Sequence, residues 1–437
     1  MQRRWMQCAA AVLLLSCAFA ATAATFTVTS SDDSGPGTLR QAILDANATP
    51  GRDQIVFQSH SGPTSPLPSI TDAVDIDGTL NDFTAQISGF ATSAFRFSAG
   101  SSTSTLRNVR VSNFSESVRI ESGVSGVTIT RGDFDNSFLV FGNDNVIGAL
   151  AAGEGNRIEF LSVIGQSNDF FGNRIVDVQI TGASNVLQGN TTGYIRILGG
   201  DDSRVGPGNA TGPISLEFSS GSIVEGNTVS SSDIYGIFVR DSSVPANIRI
   251  ASNTINGGTA GVVVTTLLAP TAGVEITRNA IRNVTIPIDL GNDGSTPNDP
   301  APDADAGPNN LQNFPLLTSA TLQAGTLEVQ GSLTSAPLTS YRIEIFSSPA
   351  ADPGAHTFLD SFTVSTDATG NVAFTQTISA SPSPDDVVTS TATSLLTNDT
   401  SEVSAPVAIA APGALGFATA TQSVDENAGT VTIVVTR

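Results

Sequence analysis

The 437-residue chain has no lysine, and its two cysteines, two methionines and single tryptophan all lie within residues 1–24. Without cysteine beyond Cys17, no disulfide can brace the later chain, and Cys-based zinc or redox centres are excluded there. The two histidines, His60 and His356, make no metal-type cluster. Positive charge is scarce as well: 19 Lys+Arg stand against 40 Asp+Glu, for a net charge of −21. That balance argues against nucleic acid and anionic lipid surfaces as partners and favours divalent cations.

What is present begins with Arg3 and Arg4, an apolar run from Cys8 to Ala20, and small residues suited to cleavage near Ala23 or Ala24. This is the pattern of an export signal over residues 1–24, too short to span a bilayer, and it places the protein as secreted or on a bacterial cell surface. Removing it takes the net charge to about −23, because Arg3 and Arg4 go with it. Leu14-Leu15-Ser16-Cys17 loosely resembles a lipobox, so membrane attachment is expected only if Cys17 is lipidated.

The segment "FGNRIVDVQITGASNVLQGN" begins and ends on Gly-Asn, and the same signal recurs along the chain. It gives Asn156, Asn173, Asn190, Asn209, Asn227, Asn253 and Asn279, at intervals of 17, 17, 19, 18, 26 and 26 residues, with Asp133 and Asn108 expected to continue the series upstream. Apolar residues alternate in between, as in Val176, Val178, Ile180, then Ile195, Ile197, then Ile214, Leu216, Phe218. Alternation marks strands with one buried face, and a fixed period marks a repeat. A coil of this length cannot bury its own face, whereas stacked coils can. The expected fold is an all-β parallel β-helix in which the nine positions form a ladder, each amide bonding its neighbours at a corner where glycine supplies positive φ. Arg249 and Glu275 should then face each other on adjacent coils.

Upstream, Thr25 to Phe57 reads strand, turn, short helix, strand, with Thr38 as N-cap and Leu39, Ala42, Ile43 and Ala46 on one helical face. Gly37, Leu39, Arg40, Ala42, Ile43, Ala46 and Asn47 resemble the "G-x-L-R-x-A-I-x-x-A-N" stretch of the N-terminal cap module of bacterial exported right-handed parallel β-helix proteins. The resemblance covers roughly residues 25–293. It implies a cap that protects an open solenoid end.

The stretch from Asp289 to Asn310 is dense in acidic and amide residues. Asp289, Asn292, Asp293, Asn298, Asp299, Asp303 and Asp305 lie among prolines and glycines. Hard oxygen ligands at alternate positions suit calcium, and a solvated acidic linker is the plainer reading. Beyond it, recurrent strand patterns separated by turns predict an antiparallel Ig-like β-sandwich, with Tyr341 and Phe346 as core or edge aromatics. The tail resembles the opening of a Calx-beta domain through Val424-x-Glu426-x-x-Gly429, which implies Glu426 as a further calcium ligand. The expected organisation is signal 1–24, cap and first coils 25–100, β-helix 101–293, linker 294–314, sandwich 315–411 and an incomplete Calx-beta domain 412–437.

For function, this organisation predicts a non-catalytic exported surface or adhesin-like protein, not an enzyme, whose ligand is an unknown surface, matrix or glycan. A calcium-dependent spacer of the envelope or matrix is one alternative. A polysaccharide-acting lyase or hydrolase is the other, since such chemistry occurs on β-helices and needs paired carboxylates. Asp201-Asp202 supplies a pair in sequence, but its setting, "GGDDSR", reads as a corner between coils. Tyr194, Tyr235 and Tyr341 are the only tyrosines available for stacking on sugars.

Overall fold

A computed structural model describes residues 22–410 except 81–82, 243–244 and 269, together with 416–417, 432 and 435–436. Cys17 and Glu426 lie outside the described residues. Among the described residues, no helix is long and apolar enough to cross a membrane.

The solenoid has three faces. On the first, twelve parallel strands run in register from Thr25–Val28 to Val274–Thr277. The second and third share the long strands Asp133–Val140, Arg157–Val163, Arg174–Ile180 and Thr191–Leu198, which bend around one corner. After Leu198 the long strand divides, and Ala210–Thr211 and Ile214–Glu217 continue the two faces separately. The inward columns are apolar and closed to solvent: Val163, Ile180, Ile197, Leu216, Val239, Val264 and Leu290 stack coil upon coil. Each such side chain stabilises the fold by about 1.5–3 kcal/mol relative to exposure.

Two positions depart from the expected alternation. Val176 and Phe218 are 44% and 45% exposed. In Arg174–Ile180 the corner falls between Ile175 and Val178, so the inward phase slips by one residue and Val176 turns out. Phe218 takes φ of 52°, which ends the strand and redirects its side chain.

The helix Leu39–Ala48 forms as its sequence dictates. The Thr38 hydroxyl accepts from the Gln41 amide, and Leu39, Ala42, Ile43 and Ala46 are buried in the solenoid core.

The C-terminal sandwich comprises Leu316–Gln323, Thr326–Thr334, Ser340–Pro349, Thr357–Ser365, Asn371–Ile378, Asp386–Ser394 and Val407–Ala410. Val407–Ala410 pairs antiparallel with one half and parallel with the other, joining the two sheets. Tyr341 is core, its hydroxyl within 2.8 Å of Ser335 Oγ, whereas Phe346 is buried with the solenoid cluster.

The sandwich is docked on the last coil. Asp399 accepts from Gly273 N at 2.6 Å, Thr400 Oγ1 from Ile276 N at 2.9 Å, and Glu402 from Leu290 N at 3.0 Å. Glu344 accepts from Arg278 N at 2.9 Å and from the Thr277 hydroxyl. Asn309 both donates to and accepts from the Val274 backbone, as a further strand would. Open strand edges are thereby supplied with partners from another part of the chain.

Candidate functional site

The asparagine ladder is a continuous hydrogen-bonded stack from Asn156 to Asn279. Each Oδ1 accepts from the preceding asparagine, as Asn190 does from Asn173 N at 2.9 Å and Nδ2 at 3.1 Å, while Asn190 Nδ2 also reaches Phe170 O. Asn209, Asn227 and Asn253 repeat the arrangement, and all seven are buried. Every polar atom is spent on the scaffold, so the stack offers nothing to a ligand.

Asn108 and Asp133 do not belong to it. Asn156 Oδ1 accepts instead from the Gly132 backbone, which ends the stack one residue before Asp133. Asp133 pairs with Arg157 at 2.9 Å, and Asn108 donates to Asp77 and Thr79. Both line an open cleft of about 690 Å³ with Arg110, Arg131 and Arg157. A second buried stack, Asn145–Asn168–Asn185, lies outside the positions expected from sequence; its 17-residue interval from Asn168 to Asn185 equals that between Asn156, Asn173 and Asn190.

The acidic segment divides. Asp289 is buried and accepts from the amides of Asn292 and Asp293, so it shapes a turn, and Asn298 is spent on the Phe314 backbone. Asp299, Asp303 and Asp305 converge, each offering an oxygen within 4.8 Å of the others. That span is about twice a calcium–oxygen bond. Asp303 Oδ1 and Asp305 Oδ1 are buried with no hydrogen-bond partner among the described residues. Gln312 Nε2 and the Ser335 hydroxyl hold the other oxygen of Asp303. Burial pushes Asp303 up to about 6, with the neighbouring carboxylates adding to the rise. Asp305 is raised by burial and by Asp299. Three hard carboxylate donors, two of them with an idle oxygen, fit a divalent cation.

A different constellation sits on the outer side of the third face. Glu217, nearly buried, accepts from Arg196 at 3.0 Å and from Arg240, which come from the coils on either side. Tyr235 stacks on Phe238 with ring centroids 4.7 Å apart, and Arg240 lies 5.6 Å from the Phe238 centroid. Tyr194 lies beside Tyr235, whose hydroxyl is raised first by burial and then by that neighbour. In register with Tyr194 lie Asp177 and, one coil further, the partly exposed Phe160. Both solenoid tyrosines therefore meet beside one carboxylate and two guanidiniums. Asp201 and Asp202, by contrast, form a corner: Asp201 accepts from Ser220 N and Asp202 has φ of 54°.

No family model matches the chain, and no curated protein does. Among solved structures, the catalytic domain of a GH87 alpha-1,3-glucanase in complex with nigerose is similar, at 12% identity and TM-score 0.32, covering 60% of this chain and 67% of that one. The D1069A form of that domain gives the same values. So distant a likeness assigns no residue or activity here. The expectation of a non-catalytic, adhesin-like surface protein is corrected to this extent: the solved chains found similar are glucanase catalytic domains.

Proposed function

We propose that the protein is exported and acts on a polysaccharide held along the outer side of the third face. The observation that carries this reading is the meeting of Tyr194, Tyr235 and Phe238 beside Glu217, Arg196 and Arg240, drawn from successive coils. Aromatic faces suit the C–H faces of sugar rings, while the carboxylate and guanidiniums suit hydroxyl groups. The test is affinity electrophoresis and reducing-sugar release on a polysaccharide panel that includes α-1,3-glucan. Tyr235→Ala and Arg240→Ala should each weaken retention about tenfold or more, a loss of about 1.4 kcal/mol. Unchanged retention in both would move the binding surface elsewhere.

Calcium at Asp299, Asp303 and Asp305 is the cofactor we propose, and the idle oxygens of Asp303 and Asp305 support it. The sign follows from the raised carboxyl of Asp303. Its stability contribution is fully present below the ordinary aspartate range and lost as pH rises through about 6. A cation relieves that loss, so calcium should raise the melting temperature at pH 7.5 and have little effect at pH 4.5. Asp303→Asn should remove the calcium response. A calcium effect equal at both pH values would count against this site. The segment around Leu39–Ala48 is proposed as the N-terminal cap, and the tail beyond 412 as the start of a Calx-beta module.

A further inference from the structure

Asp53 is fully buried at the head of the strand Asp53–Phe57. Its Oδ1 accepts one hydrogen bond, from the Ala24 backbone nitrogen at 2.7 Å, and its Oδ2 has no partner among the described residues. No arginine among the described residues pairs with it, although Arg52 beside it is bonded to Asp75. A buried carboxylate with a single amide donor is costly, because an ionised carboxylate accepts several hydrogen bonds and favours a cation. The nitrogen that faces it belongs to the residue where the small-residue stretch ends, while Thr22 and Ala23 are exposed. Ala24 itself is fixed: its carbonyl accepts from Gln54 N at 2.8 Å, and pairing in register starts at Thr25 and Gln54.

We propose that export processing cuts between Ala23 and Ala24, one residue before the 1–24 boundary expected from sequence, and that the new α-ammonium of Ala24 becomes the buried counter-ion of Asp53. Water supplies the atoms: hydroxide goes to the Ala23 carbonyl, giving a carboxylate, and the freed Ala24 nitrogen takes up protons. An amide with one N–H is thereby replaced, at the same place, by a cation with three. It can serve Oδ2 as well as Oδ1. Processing then completes the first coil, and the precursor holds a charge that only the mature protein satisfies. The idea rests on the export reading above.

The absence of lysine makes the test clean, since the α-amine is the only primary amine of the mature chain. Intact mass of the exported protein should place its first residue at Ala24. Two chains made independently of export, one starting at Ala24 and one at Thr22, are then compared with and without Asp53→Asn. Acylation of the folded Ala24 chain at pH 7 should be about tenfold slower than in denaturant, one pK unit of protection, and the Thr22 chain should show no such slowing. The Ala24 chain should also melt higher at pH 7. Because pairing raises the amine, that advantage should be complete below the ordinary amine range of about 8 and lost as pH climbs above it. Asp53→Asn should abolish both differences. Equal acylation and equal melting of the two chains would overturn the pairing. Cleavage elsewhere would overturn the processing site and leave export standing, whereas an unprocessed exported chain would overturn the export reading as well.

Discussion

In the middle of the solenoid a corner N–H meets the carboxamide of the next coil; at its C-terminal end such N–H groups meet side chains of a different sheet. Asn173 N finds Asn190 Oδ1, and Asn227 N finds Asn253 Oδ1. Gly273 N, Arg278 N and Leu290 N find Asp399, Glu344 and Glu402. The backbone need is the same. A repeat can meet it with neutral acceptors that it carries itself, because each coil supplies what the previous coil lacks. The last coil has no successor, so its acceptors come from the sandwich, and three of them are carboxylates of which none is more than 3% exposed. Interior cohesion should therefore be insensitive to pH, while the end depends on charge.

The sharpest way to break this contrast is Glu344→Ala. It leaves the Thr277 hydroxyl and the Arg278 amide without their acceptor and takes one partner from Arg342. The cost should be about 3–5 kcal/mol, read by urea unfolding, with the sandwich and the last coils loosening together. A loss under about 1 kcal/mol would mean that the docked sandwich is not what completes the solenoid. Asn190→Leu comes next. It strands Asn173 N and Phe170 O inside the stack, at about 2–4 kcal/mol in all, and the loss should be the same at pH 5 and pH 8. A pH-dependent loss would erase the proposed difference between interior and end. Arg249→Ala should matter least: its pair with Glu275 at 3.3 Å is only half-buried and worth about 0.2–1 kcal/mol by double-mutant cycle.

The sequence displayed those features that repeat. A recurring Gly-Asn at nearly constant phase was enough to expect the Asn156–Asn279 stack, and Arg249 opposite Glu275 followed from the same 26-residue interval. Extending the series to Asp133 and Asn108 failed because the upstream coil meets Asn156 with a backbone amide, which leaves no mark on residue identity. Of the acidic run only Asp299, Asp303 and Asp305 converge, since Asp289 is taken by a turn; composition shows density but not direction. The Tyr194–Tyr235–Glu217 cluster was not legible at all. It joins residues from coils of unequal length, and only the register fixes which of them are neighbours.

Coils of 17 and of 26 residues carry the same ladder without a break. Most of the additional residues between Asn227 and Asn253 fall between the strands Thr228–Ser230, Tyr235–Arg240 and Ile248–Ala251, away from the stack. Chain length is thus metered at one corner and free at the others. Whole loops can be inserted between those strands, or exchanged between relatives, while every strand keeps its partner, so the outer surface can be rewritten coil by coil against an unchanging interior.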